Sequence, residues 1–473
     1  MSKLEVYLVS LKGRALKFQS LIIAIICCGL LLSNYLLDPD LFARLAVGRL
    51  IDQLSYIPLI DPFAFTPKKP VWIDHEWLSG YIFYQIYSLF FDPGLFIFKL
   101  LTAAITIVIL IRAQTLYAPK RTFTALFLSL LILVDCNYIW ASTVRSQVFT
   151  YLFLSIYLYF FVYYLKSKDR KLFLLMPAYM LLWCNMHGGF VVGLGLHFLF
   201  LVFCVRRDFV FHAILFLSSV SVTAINPYGF YAYWEYIVNA VFMTRSSISE
   251  WSPLPFDSSS LIPLLVIALS VRALLARKRR FFVYAFYAVA LYFAVSHQRH
   301  VAIFYFITLV FLSDSFDIFS KVKVFSKESL RVSFSLVIFM FAAFFTAQIG
   351  SLLVAADNFQ FAYDNYPENA VKYLSRHQPG GKLLVNFNDG SFALWNLYPK
   401  FLISLDGRYE ELYPDSTVEL VSDALNCSSK TQAVSLQKVN PDYILSDAYA
   451  TCFNKFKRLY RDAGYAVYKY QSS

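Results

Sequence analysis

The chain has 473 residues, of which 59% are hydrophobic and only 15% are charged. Soluble domains usually carry about 25% charged and about 45–50% apolar residues. The composition therefore excludes an ordinary soluble enzyme, and it excludes a disordered chain, which needs low hydrophobicity and high charge. With 48 Phe, 34 Tyr and 7 Trp, the chain has the composition of a protein that lies in lipid.

Long apolar runs predict an α-helical polytopic membrane protein, because about 20 apolar residues cross the hydrocarbon core of a bilayer. The first run follows four basic residues and shows no small-residue cleavage site, so we expect an uncleaved signal anchor. We predict eleven spans, at 21–37, 94–111, 122–139, 147–165, 172–185, 190–205, 209–225, 260–275, 281–296, 301–316 and 332–354.

The loops between these spans predict their orientation. Six segments on one side, including the N-terminus, hold 22 of the 42 basic residues, whereas the loops on the other side hold 7 basic and 10 acidic residues. Basic loops face the cytoplasm. The N-terminus is therefore expected inside and the C-terminus outside, and the net charge of +12 needs no nucleic-acid partner to explain it.

Residues 77–91 are apolar enough to be mistaken for a further span, but such a span would invert every later loop. We expect them to form an amphipathic helix in the outer membrane interface. This helix would belong to one large first outer loop, residues 38–93. The loop holds seven acidic and four basic residues, so it is the acidic part of an otherwise basic chain.

The composition changes after residue 354, and turn signals appear at Pro-Gly-Gly and Asn-Asp-Gly. We predict a membrane domain over 1–354 and a soluble α/β domain over 355–473 on the outer face. Cys427 and Cys452 are the two cysteines of that outer domain, where oxidation is favoured. They are candidates for a disulfide, although the sequence leaves their geometry open. Short β-like runs appear at 382–387, 401–405 and 443–446.

The first outer loop opens with Asp38-Pro39-Asp40. In one interpretation, Asp40 caps a helix over 41–53, since Asp is a favoured N-cap residue. In the other, the two carboxylates supply a general base or ligands of a metal ion. The tripeptide by itself favours the cap.

A second acidic group in the same loop is Asp74-His75-Glu76, between Trp72 and Trp77. Asp74 is a natural N-cap for the interfacial helix, and the two tryptophans are natural interface anchors. Two carboxylates and an imidazole in three consecutive residues exceed what a cap requires. The alternative is that they converge with the carboxylates at the start of the loop to form an active site.

The remaining outer loops carry further polar residues that predict a phosphate site. Arg299 and His300 lie in a run of three cationic or near-cationic side chains, which suits a phosphate group. Arg145, at the end of a span, is typical of a side chain that snorkels to the interface, and His187 is compatible with a helix end. The other polar residues of these loops are Asn185, Asn226, Arg245 and Glu250.

Together the motifs resemble a broad family of bacterial polytopic proteins related to the GT-C glycosyltransferases, which include protein O-mannosyltransferases and lipid A aminoarabinose transferases. The resemblance spans nearly the whole chain. It rests on three stretches of the first loop and on short motifs of the later loops and the outer domain. These are DLFARLAVGR (40–49), IPLIDPFAFT (57–66), VWIDHEWL (71–78), VRSQ (144–147), NMHGG (185–189), NPYG (226–229), EWSP (250–253), RH (299–300), NFNDG (386–390) and LDGR (405–408).

The resemblance implies transfer of a sugar from a polyprenyl-phosphate or polyprenyl-diphosphate donor to a glycan, lipid or protein acceptor. The reaction would occur at the outer face of a bacterial inner membrane, with inversion at the anomeric carbon. Asp40 matches the essential acid of the family and would be the base, helped by Asp74 or Glu76. The residues implied to hold the donor phosphate are Arg299, His300, Arg145 and Arg44, and other motif residues are His187, Asn226, Glu250, Asp389, Asp406 and Arg408.

The chain departs from the family pattern at Phe42-Ala43-Arg44, where the family has Trp-Trp-His. Arg44 cannot replace a metal-binding histidine, because a guanidinium has no free lone pair. If a divalent cation such as Mg²⁺ or Mn²⁺ takes part, its implied ligands are Asp38, Asp40, His75 and Glu76.

Two other classes of function compete with the transferase. A lipid or solute transporter, or a flippase, would need ionisable groups or broken helices near the middle of the membrane, whereas the polar residues gather at one face. A non-catalytic membrane scaffold with an outer binding domain would leave the acidic first loop unexplained.

Overall fold

The computed structural model is mostly helical, with a small sheet in its C-terminal part. The helices that precede the sheet include a set rich in aromatic and aliphatic residues, as the sequence predicts. The structure describes residues 37–118, 135, 144–204, 208–243, 248–312, 363 and 365–471. The helices before the sheet are α1 (Pro39–Leu54), α2 (Trp77–Tyr117), α3 (Gln147–Ser167), α4 (Met176–Met186), α5 (Phe190–Cys204), α6 (Phe209–Ser221), α7 (Phe230–Phe242), α8 (Leu261–Ala276), α9 (Phe281–Ser296) and α10 (Val301–Leu312).

Three helical segments of the described residues are long and apolar enough to cross a membrane. They are Trp77–Tyr117, Gln147–Ser167 and Ser258–Ala276, and they coincide with the spans predicted at 94–111, 147–165 and 260–275.

The other predicted spans are not supported at the required length. Shorter apolar helices occupy most of the spans predicted at 172–185, 190–205, 209–225, 281–296 and 301–316. The spans predicted at 21–37, 122–139 and 332–354 lie outside the described residues, apart from Leu37 and Asp135.

Helix α2 joins the segment predicted to be interfacial to the span that follows it. The backbone leaves the helical region at Phe91, where φ is 52°, and Pro93 lies two residues later. Proline lacks the N–H that would continue the helical hydrogen bonds, and its ring clashes with the preceding turn. The two parts of α2 are therefore divided by a kink at the boundary that the sequence predicts.

Helix α1 crosses α2 at very close range. A Cβ placed on Gly48 would lie 2.2 Å from the carbonyl oxygen of Gly80, and a Cβ on Gly80 would lie 2.8 Å from the carbonyl oxygen of Arg44. Only glycine allows the two backbones to approach this closely. The contact brings Arg44 of α1 beside the acidic residues that immediately precede α2.

The structure corrects both predicted caps. Helix α1 begins at Pro39, and Asp38 is its N-cap, accepting a hydrogen bond from the backbone N–H of Asp40 at 2.9 Å. The prediction that Asp40 is the cap is therefore wrong, and its side chain serves another purpose. Asp74 is not the N-cap of α2 either, because Glu76 occupies that position.

The C-terminal part forms a five-stranded mixed sheet in the order β2-β1-β3-β5-β4. The β-like runs of the sequence match β1, β2 and β3, whereas β4 and β5 are absent from the prediction. Strand β4 has the sequence KRLYR at the sheet edge and is largely exposed, so it lacks an apolar run. The elements are α11 (Glu368–His377), β1 (Gly381–Leu384), α12 (Phe387–Leu397), β2 (Phe401–Ile403), α13 (Tyr409–Leu412), α14 (Asp415–Leu425), α15 (Gln432–Val439), β3 (Tyr443–Asp447), β4 (Lys457–Arg461) and β5 (Tyr465–Lys469).

The loop over residues 38–93, called the first loop from here on, adds a short stretch of backbone to the edge of this sheet. Ile403 of β2 donates to the carbonyl of Phe63 at 3.0 Å and accepts from the N–H of Phe65 at 3.1 Å. The hydroxyl of Thr66 donates to the carbonyl of Ser404 at 2.6 Å. Backbone pairing of this kind fixes the position of the sheet domain relative to the loop.

Candidate functional site

A cavity of about 620 Å³ lies between the first loop (residues 38–93), the apolar helices and the sheet domain. This volume is within the range of about 300–1,000 Å³ that is typical of ligand sites. Apolar side chains of α5, α7, α9 and α10 line one part of it, among them Leu196, Ile237, Phe286, Phe293 and Ile303. Loops and helix ends supply the ionisable residues of its lining, which are Asp40, Arg44, His75, Glu76, Arg145, His187, Glu250, His297, Arg299, His300, Arg408, Glu410 and Glu411.

Arg145 binds three carboxylates at one end of the cavity. Its Nε lies 2.6 Å from Oδ2 of Asp38, its Nη2 lies 2.9 Å from Oδ2 of Asp40, and its Nη1 lies 2.7 Å from Oε2 of Glu250. Glu250 also accepts from Nη1 of Arg299 at 3.2 Å. Arg145 therefore points into a polar network, and the interpretation that it only snorkels is wrong.

Asp40 is the carboxylate of this network that is most open to the cavity. Its side chain is 39% exposed, compared with 6% for Asp38. Although part of the side chain reaches the cavity, desolvation by the surrounding protein and the neighbouring charge of Asp38 raise the pKa of Asp40 to about 7, and Arg145 opposes the shift. A carboxyl group with a pKa near neutrality suits a general base.

Arg44, one helical turn after Asp40 on α1, forms a second network. Its Nη1 contacts Asp74, its Nη2 lies 3.0 Å from Oε2 of Glu411, and its Nε lies 3.7 Å from Glu76. Because its side chain is only 4% exposed, this guanidinium is committed to carboxylates. His75 lies in the same network, with Nδ1 at 3.0 Å from Oε1 of Glu411.

The charges of this second network are stabilised by one another. Burial would lower the pKa of His75, but its hydrogen bond with Glu411 and the charge of Glu76 outweigh burial and raise that pKa to about 9. Burial would raise the pKa of Glu411, but the charge of Arg44 and the contact with His75 lower it to about 2. His75 is therefore expected to be protonated and Glu411 ionised at neutral pH.

His187 has a different protonation state, although it also lies close to Glu76. The backbone N–H of Gly189 donates to Nδ1 of His187 at 2.9 Å, and Nε2 lies 3.4 Å from Oε1 of Glu76. An Nδ1 that accepts a hydrogen bond places the ring proton on Nε2. Burial lowers the pKa of His187 to about 3, so the ring is a neutral donor that faces Glu76.

Glu250 separates Arg299 and His300 from Arg145. The guanidinium of Arg299 stacks over the ring of Trp251 at 4.5 Å, which is a cation–π contact. The rings of His300 and Trp251 meet edge to face at 5.8 Å. Burial lowers the pKa of His300 to about 3, so its ring is neutral and Arg299 supplies the positive charge at this part of the cavity. One aromatic side chain holds both residues in place.

Three of the predicted motif residues support the surrounding structure and do not line the cavity. The side chain of Asn226 accepts from the N–H of Tyr228 at 2.7 Å and shapes a turn, and Asp389 is bonded to Asn386 at 2.6 Å. Asp406 pairs with Arg408 at 2.6 Å, with both side chains fully buried.

Cys427 and Cys452 lie at the surface of the sheet domain and form a disulfide.

The described residues contain no group of three or more His, Cys, Asp or Glu side chains placed to hold a metal ion. Of the implied ligands, Asp38 and Asp40 pair with Arg145, while His75 pairs with Glu411. The divalent cation stays a prediction.

Sequence reasoning missed Asp61, Glu410 and Glu411. Asp61 forms a fully buried ion pair with Arg408 at 2.5 Å, and Glu411 joins Arg44 to His75. A weak signal was present, since Glu410 and Glu411 closely follow the LDGR motif. Nothing in the local sequence shows that this motif lies against the first loop.

Comparison of the chain with models of known protein families gives no match, and comparison with curated protein sequences gives none either. The function is therefore argued from the residues and geometry of the cavity.

Proposed function

We propose that the protein is a membrane glycosyltransferase that moves a sugar from a polyprenyl-phosphate or polyprenyl-diphosphate donor to a glycan, lipid or protein acceptor. One observation carries the proposal. The cavity combines an apolar lining from the helices with a cluster of arginines, histidines and an accessible carboxylate. A polyprenyl-linked sugar has the matching chemistry, with a long apolar chain, an anionic phosphate and hydroxyl groups.

The donor phosphate is proposed to bind beside Arg299 and His300. A guanidinium carries five N–H donors, and among the described residues Glu250 is the carboxylate that pairs with Arg299. The polyprenyl chain would then extend along Phe293 and Ile303, which line the same cavity. Arg145 is 25% exposed and is joined to Arg299 through Glu250, but its nitrogens pair with three carboxylates, so its proposed part is to place Asp40 and Glu250 beside the leaving phosphate. Arg44 is too completely paired to serve in this way.

Asp40 is the proposed base. It removes the proton from the acceptor hydroxyl or amine as that group attacks the anomeric carbon, and the bond to the lipid phosphate breaks. The negative charge that develops on the phosphate is stabilised by fixed cations, which lose little energy to reorganisation during the reaction. A single displacement of this kind inverts the anomeric carbon.

The proposed membrane topology follows the loop charges. We propose that the shorter apolar helices also cross the bilayer, giving eleven spans with a cytoplasmic N-terminus and the sheet domain outside the bacterial inner membrane. The position of the cavity supports this orientation, because its ionisable lining comes from the loops predicted to be outside.

The proposal is tested by mass spectrometry of surface glycoconjugates from cells with and without the gene. Strains that lack the gene are complemented with the wild type, with Asp40→Asn, or with the control Asp52→Asn. Asp52 lies on the same helix and is exposed, with its side chain bonded to Gln85. We expect a glycan modification that the wild type and the control restore and Asp40→Asn does not. An unchanged glycome in the deletion strain would contradict the proposal and favour a transporter or a scaffold.

A further inference from the structure

Glu411 reaches from the sheet domain into the ionisable lining of the cavity. It lies on the short helix α13, and its side chain is only 5% exposed. Oε2 accepts from Nη2 of Arg44 at 3.0 Å and Oε1 lies 3.0 Å from Nδ1 of His75. The indole N–H of Trp72 also approaches Oε2, at 3.4 Å. One carboxylate of the sheet domain thus joins α1 to the segment that precedes α2.

The two partners of Glu411 are surrounded by other charged and polar groups of the site. Arg44 also contacts Asp74 and lies 3.7 Å from Glu76. The ring of His75 lies 3.6 Å from Glu76, and the hydroxyl of Tyr236 lies 3.1 Å from Nδ1. Glu411 is therefore the member of this network that comes from another domain.

The docking of the sheet domain holds Glu411 at this place. Three residues before it, Arg408 pairs with Asp61 of the first loop at 2.5 Å, and its guanidinium stacks between Phe63 and Trp72 at 4.9 Å from each ring. All of these contacts are buried. The backbone N–H of Lys69 donates to the carbonyl of Leu412, the residue after Glu411, at 2.9 Å. Contacts on both sides therefore fix the short helix against the first loop.

A buried carboxylate in such a network determines where its partners point. Without the charge of Glu411, Arg44 and His75 would keep only their bonds to Asp74, Glu76 and Tyr236, and both side chains would reorient. Removing one member of a buried ionic network leaves the remaining charges without compensation. Arg44 and His75 line the same cavity as Asp40, and Arg44 follows Asp40 by one turn on α1. Their reorientation would therefore shift the groups around the proposed base, and a misplacement of about 1 Å costs about 100-fold in rate even when it originates away from the reacting atoms.

We infer that Glu411 is a positioning residue of the active site, acting through Arg44 and His75, and that the sheet domain is thereby an integral part of that site. The inference rests on the proposed function, and it assigns the sheet domain a role in the chemistry of the cavity. Glu411 acts by position, because its carboxylate holds the side chains of Arg44 and His75 in place in the cavity.

The test uses the full chain, purified and reconstituted in lipid nanodiscs. The transfer of sugar from the donor identified by the glycoconjugate comparison is measured for Glu411→Gln, Glu411→Asp, His75→Asn and the double variant His75→Asn/Glu411→Gln. The double variant is compared with the two single variants. Binding of undecaprenyl phosphate, which needs no transfer, is measured in parallel. The control is Glu419→Gln, an exposed glutamate on α14 of the same domain.

We expect Glu411→Gln to lower kcat by about 100-fold, with a smaller change in KM. The double variant should lose less than the product of the two single effects, because part of the action of Glu411 passes through His75 and the rest through Arg44. Glu411→Asp keeps the charge but shortens the side chain, so it should fold and recover part of the rate lost in Glu411→Gln. A kcat for Glu411→Gln equal to that of Glu419→Gln would overturn the inference, and so would full multiplication of the two single effects in the double variant.

Two further outcomes separate this inference from the proposed function. If Glu411→Gln fails to fold, the kcat of Glu411→Asp is the test. A folded Glu411→Asp with the kcat of the wild type overturns the inference, and a reduced kcat supports it. If the wild type binds undecaprenyl phosphate but transfers no sugar, the proposed function fails. The inference, which rests on that function, then fails with it, whereas a wild type that transfers sugar together with an unchanged kcat in Glu411→Gln overturns the inference alone.

Discussion

The Nη2 of Arg145 lies 2.9 Å from Oδ2 of Asp40, and this ion pair sets both the position and the charge of the proposed base. The sequence places the two residues 105 positions apart. Without the arginine, burial and the charge of Asp38 would hold the carboxyl group of Asp40 in its neutral form over a wider pH range.

The first prediction concerns the pH dependence of transfer. Because the base must be ionised, and because the pKa of Asp40 is raised to about 7, the rate should rise about 10-fold per pH unit below that value and level off above it. Single-turnover transfer measured across this range would show the rise. A rate that is constant from acidic to neutral pH would contradict the role of Asp40.

The second prediction concerns the buried pair that docks the sheet domain. Asp61→Asn leaves the guanidinium of Arg408 with one carboxylate in place of two, and both side chains of the pair are fully buried. Breaking a buried pair costs about 3–5 kcal/mol, so the free energy of unfolding should fall by that amount. Denaturant unfolding followed by tryptophan fluorescence measures it. The exposed control Asp52→Asn should change it by less than about 0.5 kcal/mol, and equal effects of the two variants would contradict the prediction.

The third prediction is a loss of stability in acid. In the folded protein the pKa of Glu411 is lowered to about 2 from an ordinary value of 4.5, so its contribution to stability is fully present above pH 4.5. The contribution is lost as pH falls from there towards 2, because the unfolded chain then binds the proton more readily. Limited proteolysis of the sheet domain at decreasing pH measures the loss. In Glu411→Gln the part of the pH dependence that this residue supplies should be absent.

The fourth prediction concerns the disulfide of the sheet domain. Cys427 and Cys452 enclose a loop with a sequence separation of 25 residues. A cross-link over a loop of this length stabilises a domain by about 3 kcal/mol, through restriction of the unfolded chain. Replacing both cysteines with serine should therefore lower the free energy of unfolding of the sheet domain by about that amount. Glycosyl transfer at low temperature should be unchanged, since the disulfide lies apart from the cavity lining.

The sequence predicts which residues belong to the site better than it predicts which of their side chains contact one another. Asp38, Asp40 and the Asp74–Glu76 cluster stand out because unusual residue types are adjacent in one loop. The loop charges also predict that Arg145, Glu250 and Arg299 lie on the same face of the membrane. Which of these side chains meet is decided by the packing of helices that are far apart in the sequence, and no local pattern records that packing.

The largest gap between sequence and structure is the contribution of the sheet domain. Glu411 and Arg44 are separated by 367 positions, and Glu411 lies in a four-residue helix with no amphipathic pattern of its own. Its position follows from the backbone pairing between Phe63 and Ile403, which adds the first loop to the sheet edge. Pairing of this kind is non-local, and the sequence of an edge strand does not specify its partner.

The last prediction uses the close approach of Gly407 to the proposed base. A Cβ on this residue would lie 2.6 Å from Oδ1 of Asp40 and 3.0 Å from Oγ of Ser391. Gly407→Ala should therefore displace the carboxylate of Asp40 and lower the rate of transfer by about 100-fold, while binding of undecaprenyl phosphate changes little. Gly464→Ala is the matched control in the same domain, since its Cβ would come no closer than 3.9 Å to another side chain. Equal rates for the two alanine variants would show that the placement of Asp40 beside the sheet domain is not needed for transfer.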